Sequence, residues 1–120
     1  MIKGLATTTY CVPDMNDAKA WYSKAFKTEP YFDEAFYVGF NIKGFELGLL
    51  PQQEGEKPGV GGVTSYWRVD DLDKEIAYFE SIGAKIKCPK QDVGEGILLA
   101  TLLDPYDNVI GLIYNPHFSV

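Results

Sequence analysis

Residues 12–22, V-P-D-M-N-D-A-K-A-W-Y, return in kind 57 positions later as V-D-D-L-D-K-E-I-A-Y-F at 69–79. Val12 falls on Val69, Asp14 on Asp71, Met15 on Leu72, Ala20 on Ala77, Trp21 on Tyr78 and Tyr22 on Phe79. Each copy sets an aspartate, whose carboxylate can accept the first unpaired amides of a helix, ahead of apolar residues at helical spacing. In the first copy these are Met15, Ala18, Trp21, Tyr22, Ala25 and Phe26. In the second they are Leu72, Ile76, Phe79 and Ile82, with Gly83 as the stop. The chain is an internal duplication with two amphipathic helices. Met15, Ala18, Trp21, Tyr22, Leu72, Ile76 and Phe79 are expected to be buried between helix and sheet.

Ahead of each helix runs a stretch rich in Thr, Tyr and Val, G-L-A-T-T-T-Y-C-V at 4–12 and V-T-S-Y-W-R-V at 63–69, the composition of a strand. After each helix three more strands are predicted, near 29–33, 35–42 and 45–50, and then near 84–88, 97–103 and 108–114. Between the copies, P-Q-Q-E-G-E-K-P-G-V-G-G at 51–62 has four glycines and two prolines and reads as a linker. The expected organisation is one α+β domain over 1–120, with a first βαβββ module at 1–50, a linker at 51–62 and a second βαβββ module at 63–120. Asp104-Pro105-Tyr106-Asp107-Asn108 suits the tight turn between the last two strands.

Composition excludes several classes. With 46% hydrophobic and 23% charged residues, the chain can form a packed core and is not disordered by composition. A formal charge of −6 opposes a phosphate backbone or an anionic bilayer, so neither nucleic acid nor membrane is expected as a partner. No stretch approaches the roughly 18 apolar residues of a membrane span, and the first residues lack a signal-peptide pattern, so a cytoplasmic location is expected. Cys11 and Cys88 form neither a CxxC pair nor a disulfide framework and read as reduced thiols. No GxGxxG, P-loop, nucleophile elbow or HExxH motif is present.

The motifs V-P-D-M with A-W-Y, V-D-D-L with Y-F-x-x-I-G, and L-D-P-Y-D-N-V-I-G-L resemble those of the vicinal oxygen chelate superfamily, which includes glyoxalase I, bleomycin-resistance proteins, fosfomycin-resistance enzymes and extradiol dioxygenases. The resemblance spans nearly the whole chain. It implies a half-open, curled mixed sheet around a pocket, a homodimer, and a divalent metal on inward-facing side chains of both modules.

Here the sequence departs from its relatives. The resemblance places the family's ligands at Thr7 and Thr64, each five residues before a helix-leading valine, and at Gly111, seven after Asp104. A fourth position falls on Gly48 or Glu46, according to whether L-G-L-L or E-L carries the match. A transition metal needs about three or four imidazole, thiolate or carboxylate donors, and threonine hydroxyls are too weak to supply them. No metal and no cofactor are therefore expected. His117, the single histidine, lies past Asn115-Pro116 and reads as a surface residue.

Strand side chains alternate, so Thr9 and Cys11 share the face of Thr7, and Tyr66 and Arg68 share that of Thr64. Arg68, the only arginine, is a guanidinium that can hold a carboxylate, phosphate or enolate, or pair structurally with Glu46. Tyr66 and Thr9 offer hydroxyls, while Gly48 and Gly111 leave room. Trp21 and Trp67 are expected to pack on the helices; Phe36, Tyr37 and Phe40 fit either face. Two functions follow. One is metal-independent binding of a small organic molecule, aromatic or acidic, through Thr7, Thr9, Glu46, Thr64, Tyr66 and Arg68, similar to bleomycin-resistance proteins. The alternative is a glyoxalase-, lyase- or isomerase-type enzyme with Glu46 as base and Arg68 or Tyr66 stabilising negative charge.

Overall fold

The computed structural model describes residues 1, 5, 7–54, 58–59 and 64–116. The chain divides into two compact units, Met1–Pro58 and Gly59–Val120. The start of the expected strand at Gly4, most of the glycine-rich half of the linker, Val63 and His117 lie outside the described residues.

The first unit runs β1 (Thr7–Val12), α1 (Met15–Phe26), β2 (Phe32–Glu34), β3 (Tyr37–Ile42) and β4 (Phe45–Pro51). Its sheet order is β1-β4-β3-β2, with β1 parallel to β4 and the other pairs antiparallel. Helix α1 starts where expected, because Asp14 is extended and its carboxylate accepts the Asp17 amide at 3.0 Å. It ends at Lys27, which takes left-handed geometry (φ 52°) and donates its N–H to the Ser23 carbonyl. Ala18, Trp21, Tyr22 and Ala25 are buried, as are Tyr10, Val12, Val38, Phe40, Leu47 and Leu49 on the strands. Tyr22 is fully buried, stacked on Tyr10 (5.7 Å between centroids) and Phe26 (5.9 Å) and edge-on to Trp21 (4.8 Å). Met15 departs from expectation and is half-buried, since the buried stripe of the helix begins a turn later at Ala18.

The second unit runs β5 (Tyr66–Arg68), α2 (Leu72–Ser81), β6 (Lys85–Asp92), β7 (Leu98–Leu103) and β8 (Val109–Tyr114). Its order, β5-β8-β7-β6, repeats that of the first unit, again with a parallel pair, β5 and β8. Asp71 caps α2 by accepting the Lys74 amide at 3.1 Å. Leu72, Ile76 and Phe79 are buried, as are Ala100, Leu102, Ile110 and Leu112 on the strands. The twofold βαβββ order of an α+β chain is thus present, with the predicted eight strands and two helices among the described residues.

Some boundaries move. β5 is confined to three residues, so Thr64 and Val69, expected within it, stand outside the strand. β6 runs four residues past the predicted end at Cys88, because it is an edge strand whose exposed, Lys- and Pro-bearing sequence shows no alternation to read. Register shifts between Ile86 and Cys88 and between Cys88 and Gln91 break its ladder with β7. Pro51, read as the first linker residue, closes β4.

The predicted turn at 104–108 is organised by Asp104, 2% exposed. Its Oδ1 accepts the amides of Tyr106 and Asn108, both at 2.8 Å, and its Oδ2 accepts Asn108 Nδ2 at 3.1 Å. Removing that carboxylate strands buried donors, each costing about 1–3 kcal/mol. Asp104→Ala is expected to lower stability by about 2–4 kcal/mol in urea denaturation. A loss below about 0.5 kcal/mol would show that the turn does not depend on this carboxylate.

Candidate functional site

In each unit one sheet face carries the buried apolar residues and the other carries the candidate site residues. Register partners share a face. In the first unit β4 aligns Glu46 with Thr7 of β1 and Asn41 of β3, and Gly48 with Thr9 and Gly39. Thr7, Thr9, Glu46 and Gly48 therefore lie together on the face opposite buried Leu47 and Leu49. Thr7 Oγ1 also donates to the Glu46 carbonyl at 3.4 Å. Both sequence alternatives for the fourth ligand position, Glu46 and Gly48, are on this face, one row apart.

Two tyrosines complete the arrangement. The Tyr31 backbone N–H donates to the Gly39 carbonyl at 2.9 Å, which fixes its position beside β3. Its hydroxyl donates to Glu46 Oε2 in a short hydrogen bond. Tyr37 lies over Gly48, where an added Cβ would stand 2.6 Å from Tyr37 Cζ. At the register partner Gly39 an added Cβ would meet Glu46 Oε2 at 3.0 Å and the Tyr31 and Tyr37 rings at 3.1 Å each. The paired glycines thus form a floor on which Tyr31, Tyr37 and Glu46 rest, as aromatic side chains commonly cover glycines in a sheet.

Neither the place of Tyr31 nor the face of Tyr37 follows from strand alternation alone. Their detectable signal is the pair of glycines in adjacent strands, whose bare backbone calls for a covering ring. Phe40 is fully buried on the helix-bearing face, and Phe36, 66% exposed, stands at the β2–β3 turn in contact with Phe32 (5.9 Å). A shallow cavity of about 190 Å³ opens beside this group, lined by Tyr31, Asn41, Gly44, Phe45 and Glu46.

The Glu46 carboxylate raises both phenols, as the main cause for Tyr31 and a lesser one for Tyr37. Donation to Glu46 is the main cause that raises Tyr31 above the usual tyrosine pKa, with smaller effects of burial and of the Glu46 charge. For Tyr37 burial is the main cause of the raised value. A hydrogen bond from Thr7 acts against it, and donation to Glu46 adds to it.

In the second unit β8 aligns Gly111 with Tyr66 of β5 and Thr101 of β7, and Ile113 with Arg68 and Leu99. Tyr66 and Arg68 are exposed and share a face, as alternation predicts. Trp67 has the opposite parity, that of buried Ala100 and Leu112, and is half-buried. An added Cβ at Gly111 would lie 2.5 Å from Tyr66 Cδ1 and 2.8 Å from the Ser65 carbonyl oxygen, so only glycine fits. Thr64, exposed and ahead of β5, does not share a strand face with them, because the ladder begins two residues later.

The two units repeat one device. Thr9 sits beside Gly48, its counterpart 57 residues on, Tyr66, sits beside Gly111, and each glycine is covered by a tyrosine ring. Against this donor set a divalent transition metal does not fit: Thr7 and Thr64 are neutral hydroxyls, Gly111 has no side chain, and Glu46 already accepts from two phenols. Among the described residues no three His, Cys, Asp or Glu side chains gather where one ion could bind them.

Because the folded phenols hold their protons more tightly than unfolded ones, their contribution to stability is complete below about pH 10 and is lost as pH rises through the raised folded values. Spectrophotometric titration is expected to show Tyr31 ionising late in the native protein and earlier in Glu46→Gln, with a smaller change for Tyr37, whose raised value comes mainly from burial. Unchanged late ionisation of Tyr31 in that variant would dissociate this phenol from Glu46.

A glyoxalase-related enzyme from Fulvimarina pelagi superposes with TM-score 0.79 at 18% identity, covering 99% of this chain and 93% of that one. A lactoylglutathione lyase from Agrobacterium tumefaciens gives 0.77 at 19% identity, covering 98% of both chains. The fosfomycin resistance protein FosX from Listeria monocytogenes gives 0.75 at 18% identity, covering 98% of this chain and 97% of that one. At such identities the likeness is one of fold. The search of curated proteins returns no match. No described helix is long and apolar enough to cross a membrane. The family model of the Glyoxalase/Bleomycin resistance protein/Dioxygenase superfamily matches residues 4–112, and the chain belongs to that superfamily.

Proposed function

We propose that this chain binds a small organic molecule, aromatic or acidic, on the open faces of its two sheets without a metal ion. The observation that carries this reading is the pair of covered glycines. The family resemblance puts ligand positions at Gly111 and at Gly48 or Glu46, and tyrosine rings cover both glycines. Those rings are apolar surfaces with a hydroxyl edge, suited to stacking and hydrogen bonding rather than to charge neutralisation of a cation. Thr7, Thr9 and Glu46 supply polar contacts on one module, and Tyr66 and Arg68 on the other, with Thr64 just ahead of their strand. The 120 residues act as one domain of two modules, in a cytoplasmic homodimer that excludes nucleic acid and membrane as partners.

A second reading rests on the Glu46 carboxylate, which two phenols hold in one orientation. A carboxylate so positioned is a candidate base for an isomerase- or lyase-type proton abstraction. Deuterium exchange from solvent into a bound carbonyl compound, abolished by Glu46→Gln, would favour it over binding alone.

Elemental analysis of the purified protein is expected to find no stoichiometric Zn, Ni, Mn or Fe, and adding these ions should leave the melting temperature unchanged. A metal bound only to the folded state would add about 2.7 kcal/mol at a hundredfold excess over its Kd. About one metal per subunit would overturn the proposal.

A further inference from the structure

Thr101 is the one buried side-chain polar group among the described residues without a hydrogen-bond partner. It is 7% exposed and lies in β7, in register with Gly111 and on the same face as Tyr66 and Arg68. A buried hydroxyl left unpaired costs free energy in the empty protein and returns it to any acceptor that arrives. Nothing in the β7 ladder requires a hydroxyl at this position: valine has the same shape and suits a strand at least as well.

The row to which Thr101 belongs has a trough at its centre. Tyr66 and Thr101 flank Gly111 from the strands on either side, and Gly111 presents only backbone between them. The Tyr66 ring fills that gap, lying closer to Gly111 than any side chain there would permit, yet the residue is 44% exposed. Tyr66 is not among the buried core side chains, so another staggered χ1 rotamer would lift the ring off Gly111 without emptying the core. The next row, two residues along, consists of Arg68, Ile113 and Leu99, which set a guanidinium beside two half-buried apolar side chains. Rows two residues apart are about 6.6–6.8 Å apart, a distance an arginine side chain spans.

We propose that Thr101 is the buried hydrogen-bond donor of a carboxylate-binding subsite, that Tyr66 is its movable cover, and that Arg68 supplies the charge. The ligand class is a small amphipathic carboxylate. One carboxylate oxygen accepts from Thr101 Oγ1 in the trough over Gly111, the other meets the Arg68 guanidinium, and the apolar body rests on Leu99 and Ile113. This assignment rests on the metal-free binding reading and names its substrate class and its donor.

The test uses the full chain with benzoate as probe and benzyl alcohol as its uncharged counterpart. Thr101→Val is expected to raise the melting temperature of the empty protein, because it replaces an unpaired hydroxyl with a methyl of the same shape, and to weaken benzoate binding about tenfold. Thr101→Ser, which keeps the hydroxyl, should restore binding to within about threefold, and benzyl alcohol should bind at least tenfold more weakly than benzoate. A lower melting temperature in Thr101→Val would show that the hydroxyl is already paired and would overturn the subsite. So would benzoate binding that is absent, that matches benzyl alcohol, or that is indifferent to Thr101→Val. In the last case the metal-free reading stands and only the subsite falls, whereas a stoichiometric metal removes that reading independently of any Thr101 variant.

Discussion

The parallel ladder between the first and last strand of each module is the constraint on which everything else in this protein depends. Parallel neighbours require a crossover, and in both modules the crossover contains the amphipathic helix and the remaining strands. Closing that ladder brings residues 39 positions apart, Thr7 and Glu46, into register, and likewise Tyr66 and Gly111, 45 positions apart. The helix must then cover one face, which leaves the other for chemistry. Asp14 secures the helix start in the first module, while Asp71 secures the helix start and Asp104 the return into β8 in the second.

Glycine in a central strand is normally a weakness, since it adds backbone entropy and packs nothing. Gly39, Gly48 and Gly111 are all buried in central strands, and each is covered by a tyrosine. The covering rings restore packing and carry hydroxyls onto an otherwise bare face. On the first module this produces a carboxylate with two phenolic donors, and on the second a ring lying between an arginine strand and a buried threonine. The modules share a fold and a device but differ in charge: Glu46 stands on one open face and Arg68 on the other.

Exposed ion pairs contribute less to this arrangement. Lys19 meets Asp33 at 2.8 Å and Lys90 meets Asp73 at 3.0 Å, each joining a helix to an outer strand. Both pairs are solvent-exposed, a setting in which such contacts contribute about 0–1 kcal/mol. The outer strands are held mainly by their ladders, and the edge strand β6 keeps a bulged, charged outline.

Local and repeated features can be read along the chain alone. The 57-residue offset, the capping aspartates, the apolar helix stripes and the 104–108 turn are all chemistry acting within a few residues, and each is legible in order along the chain. The lack of donors at Thr7, Thr64 and Gly111 is equally legible once the family motifs align. Register, by contrast, is fixed by long-range pairing. A strand's faces follow from alternation, but which residues meet across strands depends on distant pairing, and a shift of one residue exchanges the faces. Thus Tyr37 could not be placed until β3 was paired with β4, and Thr64 read as a strand residue until β5 proved to start at Tyr66. Tyr31, outside any strand, joins Glu46 only because its amide reaches the Gly39 carbonyl. Thr101 reads as an ordinary strand threonine, and its unpaired hydroxyl exists only after its neighbours have closed around it.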